Sequence, residues 1–256
     1  MKRRQLMSYA GAGIATALIT TLSSESRTNA QSGSSLSVKW LGHTCFLFSG
    51  GGVQILVNPF RTLGCTAKYR LPKVAADLVL ISSQLLDEGS VDNLQGNPKL
   101  IYEPGVYDFK GIKFQGTSIP HDRKGGKQFG FNAAWSWKQA GINIVHLGAP
   151  AAPISFEQRV LMGQPDIAFI PVGGGPKAYN AQEAKQAIDV LKPKLIVPTH
   201  YRTAAADSAT CDIAPLDEFL NVMQGVPVRR SPGDTLAISP NSLPASSTIQ
   251  VFAYKF

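Results

Sequence analysis

Few residues in this 256-residue chain could do chemistry, and they are placed alike. The four histidines, His43, His121, His146 and His200, each end or follow a predicted strand. Adjacent carboxylates, Asp87 and Glu88, stand in a polar loop after the apolar run Asp77-Leu-Val-Leu-Ile-Ser82. Imidazoles and carboxylates are donors to divalent metals. Two carboxylates with one imidazole form a harder site than histidines alone and favour Mn or Fe(II) over zinc. Ser83 shares the strand end with this loop. A serine nucleophile needs a base within reach and an oxyanion hole. Gly-x-Ser-x-Gly is missing, so Ser83 reads more simply as a small polar residue. Gly173-Gly-Gly-Pro176 follows another strand, where glycine amides could cradle an anion but tight turns use the same residues. Lys73, Arg123, Lys124 and Arg202 fall in predicted loops that could make a cleft positive.

The elements that must hold these groups are mostly short strands. Val38–Phe48 and Val53–Asn58 flank a glycine turn and read as a hairpin. Asp77–Ile81, Leu100–Tyr102, Ile142–Leu147, Asp166–Pro171 and Leu195–Pro198 are short apolar runs of the kind buried under helices. Phe129–Trp137 alternates aromatics, and Ile249–Phe256 closes the chain as another strand. Asn180-Ala-Gln-Glu183 is a capping-box start, and Ala184, Ala187, Ile188 and Leu191 then share one face of a helix stopped by Pro193. Ser155–Met162 and Leu216–Met223 read as two further helices. Asp166–Gly173 echoes Asp77–Ser83, each with an acidic start, an apolar strand and a loop.

The ordered blocks Val38-Lys-Trp-Leu-Gly-His43, Val57-Asn-Pro-Phe60, Asp77–Gly89, Ser118-Ile-Pro-His-Asp122, Val145-His-Leu-Gly-Ala149 and Pro198-Thr-His-Tyr201 resemble the lactonase-like branch of the metallo-β-lactamase fold superfamily. The resemblance implies an α/β fold, a four-layer αββα sandwich, over nearly all of residues 31–256. It places Ser83, Leu85, Asp87 and Glu88 where the family carries His-x-His-x-Asp-His. His121 then matches the third ligand of a first metal site whose other positions are Ser83 and Leu85. One imidazole does not hold zinc, so His121 is expected as a hydrogen-bonded cleft residue. His200 matches a ligand of the second site, with Asp87 and Glu88 as its partners. Ala149 replaces the family's bridging aspartate, and Asn58 replaces the aspartate of Asp-Pro-Phe that orients ligands. His43 and His146 are not ligands in the pattern and are expected to bond loop carbonyls. The loops carrying Cys65 and Cys211 would flank one cleft, which makes a Cys65–Cys211 disulfide the candidate pairing, with two free thiols as the alternative. Cys45, on an apolar strand, is expected to be a buried small hydrophobe.

Residues 1–30 have the three-part pattern of an export signal: Lys2-Arg3-Arg4, a mildly apolar Tyr9–Leu22, and a polar stretch ending Thr28-Asn-Ala30. The paired arginines suggest twin-arginine export, to a periplasm or thylakoid lumen, with no stable membrane anchor after processing. The segment holds Lys2, Arg3, Arg4 and Arg27 against Glu25, a net three of the chain's +8, so the remainder, residues 31–256, carries +5. That mild excess suits an acidic small-molecule ligand. With no long basic run interleaved with aromatics, nucleic-acid binding is not expected. The sequence leaves the oligomeric state open.

The leading expectation is an exported hydrolase-like protein with a depleted metal site, acting as a small-ligand or partner binder and not as a conventional two-zinc hydrolase. The alternative is a hydrolase of esters, lactones or phosphoesters that uses one divalent ion (Mn, Fe or Zn) at Asp87, Glu88 and His200. A third reading is a metal-free enzyme built on Ser83 or Cys65.

Overall fold

The computed structural model describes residues 35–92 and 94–255, and the expected export signal lies outside them. Two mixed sheets face each other. The first runs β13-β1-β2-β3-β4-β5, from β1 (Leu36–Gly42), β2 (Cys45–Gly50), β3 (Val53–Val57), β4 (Leu78–Leu80), β5 (Lys99–Ile101) and β13 (Thr235–Ile238). The second runs β12-β14-β11-β10-β9-β8-β7-β6, from β6 (Gly105–Phe109), β7 (Ile112–Pro120), β8 (Phe131–Gln139), β9 (Ile142–His146), β10 (Ile167–Pro171), β11 (Leu195–Thr199), β12 (Val228–Arg230) and β14 (Thr248–Val251). This is an α/β sandwich, the class of fold that the resemblance implies. Helices α1 (Phe156–Met162), α2 (Ala181–Leu191) and α3 (Leu216–Val222) are all inserted between strands of the second sheet. Among the described residues, the first sheet is connected by loops and one short turn, Gly64–Thr66.

The alternation predicted for β1 buries Leu36, Val38 and Trp40 while Ser37, Lys39 and Leu41 stay half-exposed. Aromatic side chains join the sheets. Phe46 and Phe48 of β2 meet Phe169 of β10 with ring centroids 4.7 and 5.1 Å apart, and Phe48 meets Trp137 of β8 at 5.0 Å. β10 and β11 are buried along their whole length, as the apolar runs required. Asn180 caps α2, accepting from the Glu183 amide, and Glu183 reaches back to the Asn180 amide. Ser155 caps α1 the same way with Gln158.

The echo between Asp77 and Asp166 has a structural cause. Asp77 accepts from the Gln54 amide and Asp166 from the Asn143 amide, each tying the start of one strand to its neighbour. Each also faces one lysine, Lys110 or Lys194. The predicted Val38–Phe48 strand is broken at His43, where a register shift between Trp40 and Gly42 turns the chain. The β6–β7 hairpin was not expected from the sequence. Its exposed β6 lacks the apolar run that marks a buried strand.

Candidate metal centre

The site lies where the parallel strands of both sheets end at their carboxyl edges, as is usual for open α/β sheets. In the first sheet, Val57 is in register with Leu80, so Asn58 and Ser82 emerge side by side. The buried Asn58 amide oxygen accepts from the Ser82 amide at 2.8 Å and fixes the start of the loop that carries Asp87 and Glu88. Gly89 closes that loop so tightly that a Cβ there would lie 1.9 Å from the Ser83 carbonyl. In the second sheet, His146 and His200 terminate β9 and follow β11. Gly173, just after β10, donates its N–H to the His200 carbonyl at 2.9 Å. A Cβ on Gly173 would approach that oxygen to 2.2 Å, so glycine is required there too.

His43, Asp87 and His200 converge. One ligand atom from each lies within 4.8 Å of the others. Both histidines are buried, and their rings meet at 4.4 Å. Neither ring nitrogen of His43 has a hydrogen-bond partner, nor does Nδ1 of His200. Orphaned buried donors of this kind are unusual in folded proteins. His43 is held by its backbone, the Trp40 indole N–H donating to its carbonyl at 3.1 Å. Both histidines, and Asn58, have φ near +50°, in the left-handed region. Burial drives the His43 imidazole down to about 4, against the pull of Asp87. Burial, with His43 beside it, brings His200 to about 3. Both rings are therefore neutral near pH 7, the form that binds metal. For Asp87, burial would raise the carboxyl, but Lys177, His43 and His200 outweigh it and bring it to about 2. Two neutral imidazoles and one carboxylate, with ring nitrogens otherwise unpartnered, fit one divalent ion with room left in its coordination sphere.

Glu88 turns elsewhere. Its carboxylate meets the Nε2 edge of His121 at 3.0 Å, both side chains fully buried. His121 Nδ1 donates to the Ala149 carbonyl. Burial opposes both charges, but each outweighs it for the other: Glu88 is lowered and His121 raised. An ion pair thus stands where the resemblance places a first metal. The trio drawn from sequence, Asp87, Glu88 and His200, is replaced by one in which His43 substitutes for Glu88. The sequence pattern casts His43 as structural. That role belongs to His146, which donates from Nε2 to the Thr44 carbonyl at 3.0 Å and accepts the Gly148 amide at Nδ1 at 3.1 Å.

The metal-free alternative built on Cys65 loses its nucleophile, and the one built on Ser83 loses His121 as a free base. Cys65 and Cys211 are joined in a disulfide, and the free thiol, Cys45, is buried. The Ser83 hydroxyl accepts from the Leu85 amide at 3.3 Å, while both nitrogens of His121 are engaged by Ala149 and Glu88. The glycine loop makes turns, with Gly174 and Gly175 both at φ +75°. Lys73, Lys124 and Arg202 are exposed, and Arg123 is tied to Glu183. The cation that does reach the site is Lys177, which places its ammonium 2.5 Å from Asp87 Oδ2. Its only signal in the sequence is its place directly after Gly-Gly-Gly-Pro at a strand end.

The chain belongs to the β-lactamase superfamily domain family, whose model matches residues 37–200. A UPF0173 metal-dependent hydrolase of Thermoplasma acidophilum is 25% identical over 195 residues, covering 66% of this chain and 84% of the relative. A UPF0173 protein of Pyrococcus abyssi is 29% identical over 192 residues, covering 68% and 87%. Among solved structures, a Thermotoga maritima protein assigned as a Zn-dependent hydrolase of the metallo-β-lactamase superfamily superposes with a TM-score of 0.69. It is 27% identical and covers 86% of this chain and 100% of its own.

Proposed function

We propose that this protein is a hydrolase that works with one divalent ion held by His43, Asp87 and His200. The convergence of those three donors within 4.8 Å, with buried ring nitrogens that have no other partner, carries the reading. The relatives described as metal-dependent hydrolases support it. An ion there would supply Lewis-acid activation of water and of a substrate carbonyl or phosphoryl oxygen. The chain's own residues prepare the site. Burial keeps His43 and His200 unprotonated, Asp87 stays ionised, and Asn58 fixes the loop that presents Asp87. The Glu88–His121 pair fills the space of a second ion, so the reading is mononuclear. Ester, lactone and phosphoester bonds are the substrate class this chemistry addresses. The Cys65–Cys211 disulfide supports the reading that the protein works in an oxidising compartment after export.

Elemental analysis of the purified protein beside His43→Ala and His200→Ala tests this. About one equivalent of Mn, Fe or Zn, lost in both variants, is the expected result, consistent with a three-donor site. A folded protein that takes up no divalent ion would refute it and return the cleft to the ligand-binding reading.

A further inference from the structure

The charge on Lys177 is aimed into the metal centre by a braced loop. Gly173 bonds the His200 carbonyl, and Gly174 donates to the Tyr179 carbonyl at 2.8 Å. Arg123 donates to the carbonyls of Gly175 and Ala178, both at 2.9 Å, and is itself gripped by Glu183. The buried Tyr179 donates its hydroxyl to the Ala152 carbonyl at 2.6 Å. The backbone on both sides of Lys177 is therefore fixed. Both side chains of the Lys177–Asp87 pair are only 18% exposed, which sets it apart from an ordinary surface ion pair.

We propose that Lys177 is a built-in competitor for the metal: its ammonium neutralises Asp87 in the metal-free protein, and it must leave that carboxylate before a divalent ion can bind there. This rests on the metal reading above. An ammonium and a divalent cation repel at such range, and one carboxylate cannot serve both at full strength. Loading the site would thus turn a lysine out toward the cleft, and the apparent metal affinity would be set partly by the strength of the Lys177–Asp87 pair.

The test is calorimetric titration of Mn²⁺ and of Zn²⁺ into the chelator-stripped full chain, as wild type, Lys177→Met, Lys177→Gln and Lys177→Arg. Met removes the charge at similar length. Gln removes the charge but keeps a hydrogen-bond donor, and so serves if the Met variant fails to fold. Both neutral variants are expected to bind at least about tenfold tighter than wild type, the factor equivalent to about 1.4 kcal/mol, with Arg close to wild type. If wild type binds metal and the neutral variants bind no tighter, Lys177 is no competitor and this inference fails alone. If no variant binds either ion, the metal reading fails and this one with it.

Discussion

His146 makes the stability of this fold depend on pH, and the effect can be isolated. Its ring is fully buried, stacked on Phe169 at 5.4 Å, and its two nitrogens are committed as one donor and one acceptor. Protonation would place a second N–H against the Gly148 amide with no acceptor to meet it. Burial accordingly lowers its pKa from 6.5 to about 4, although the Thr44 carbonyl favours the charged ring. The sign follows from proton uptake. As pH falls below 6.5 the unfolded chain takes a proton that the folded ring refuses, so stability is full above about 6.5 and drains away until about pH 4. At about 1.4 kcal/mol per pH unit, the loss from this residue between pH 6.5 and 5 is about 2 kcal/mol. His43 and His200 act with the same sign. The Glu88–His121 pair acts otherwise: the raised imidazole stabilises below its unfolded value and the lowered carboxyl above its own. All these are shared by wild type and His146→Gln, whose amide can still donate but cannot titrate. Urea unfolding of both at pH 7 and pH 5 should show the variant losing about 2 kcal/mol less than wild type over that interval. Equal losses in the two proteins would refute the argument.

Three further outcomes follow from other parts of the structure. Glu88→Ala, which strands the buried His121, should lower unfolding free energy by about 3–5 kcal/mol in urea titrations. The disulfide closes a separation of 146 residues. Replacing both Cys65 and Cys211 by Ser should therefore cost up to about 5 kcal/mol on a chain-entropy argument, read by thermal or urea unfolding. Gly89→Ala would force a Cβ to within 1.9 Å of the Ser83 carbonyl and so displace the Asp87 loop. Metal content by elemental analysis should fall well below that of wild type.

Much of the fold was legible because its signals are local. β10 and β11 are apolar runs buried on both faces, and the α2 cap needs only Asn180 and Glu183. β6 was not, because an exposed edge strand has no hydrophobic pattern to betray it. At the site, the family blocks identified Asp87 and His200 but not their companion. His43 enters the cleft because a register shift at the end of β1 and a left-handed turn swing its ring across to His200, on the other sheet. Glu88, adjacent to Asp87, was expected to share its role. The tight turn ending at Gly89 instead sends the two carboxylates to different partners, one to Lys177 and one to His121. Which way consecutive side chains point in a loop is decided by contacts distant in sequence, and no periodicity records it.

That division of the two carboxylates bears on what the site is for. An unpaired buried carboxylate would cost several kcal/mol, so a cleft holding two would be hard to fold without compensation. Here each has an internal cation, His121 or Lys177, before any metal arrives. Both carboxylates are thus compensated from within the chain, unlike a structural zinc site, where binding free energy is folding free energy. What the fold does sustain is strain. His43, Asn58 and His200 all sit in the left-handed region, at about 1–3 kcal/mol for each non-glycine residue held in such a conformation. Glycine would relieve it at each position. Packing of the sheets gives no reason to keep imidazoles there with their nitrogens unpartnered. A ligand drawn to neutral imidazole does, and a divalent cation is the simplest ligand of that kind.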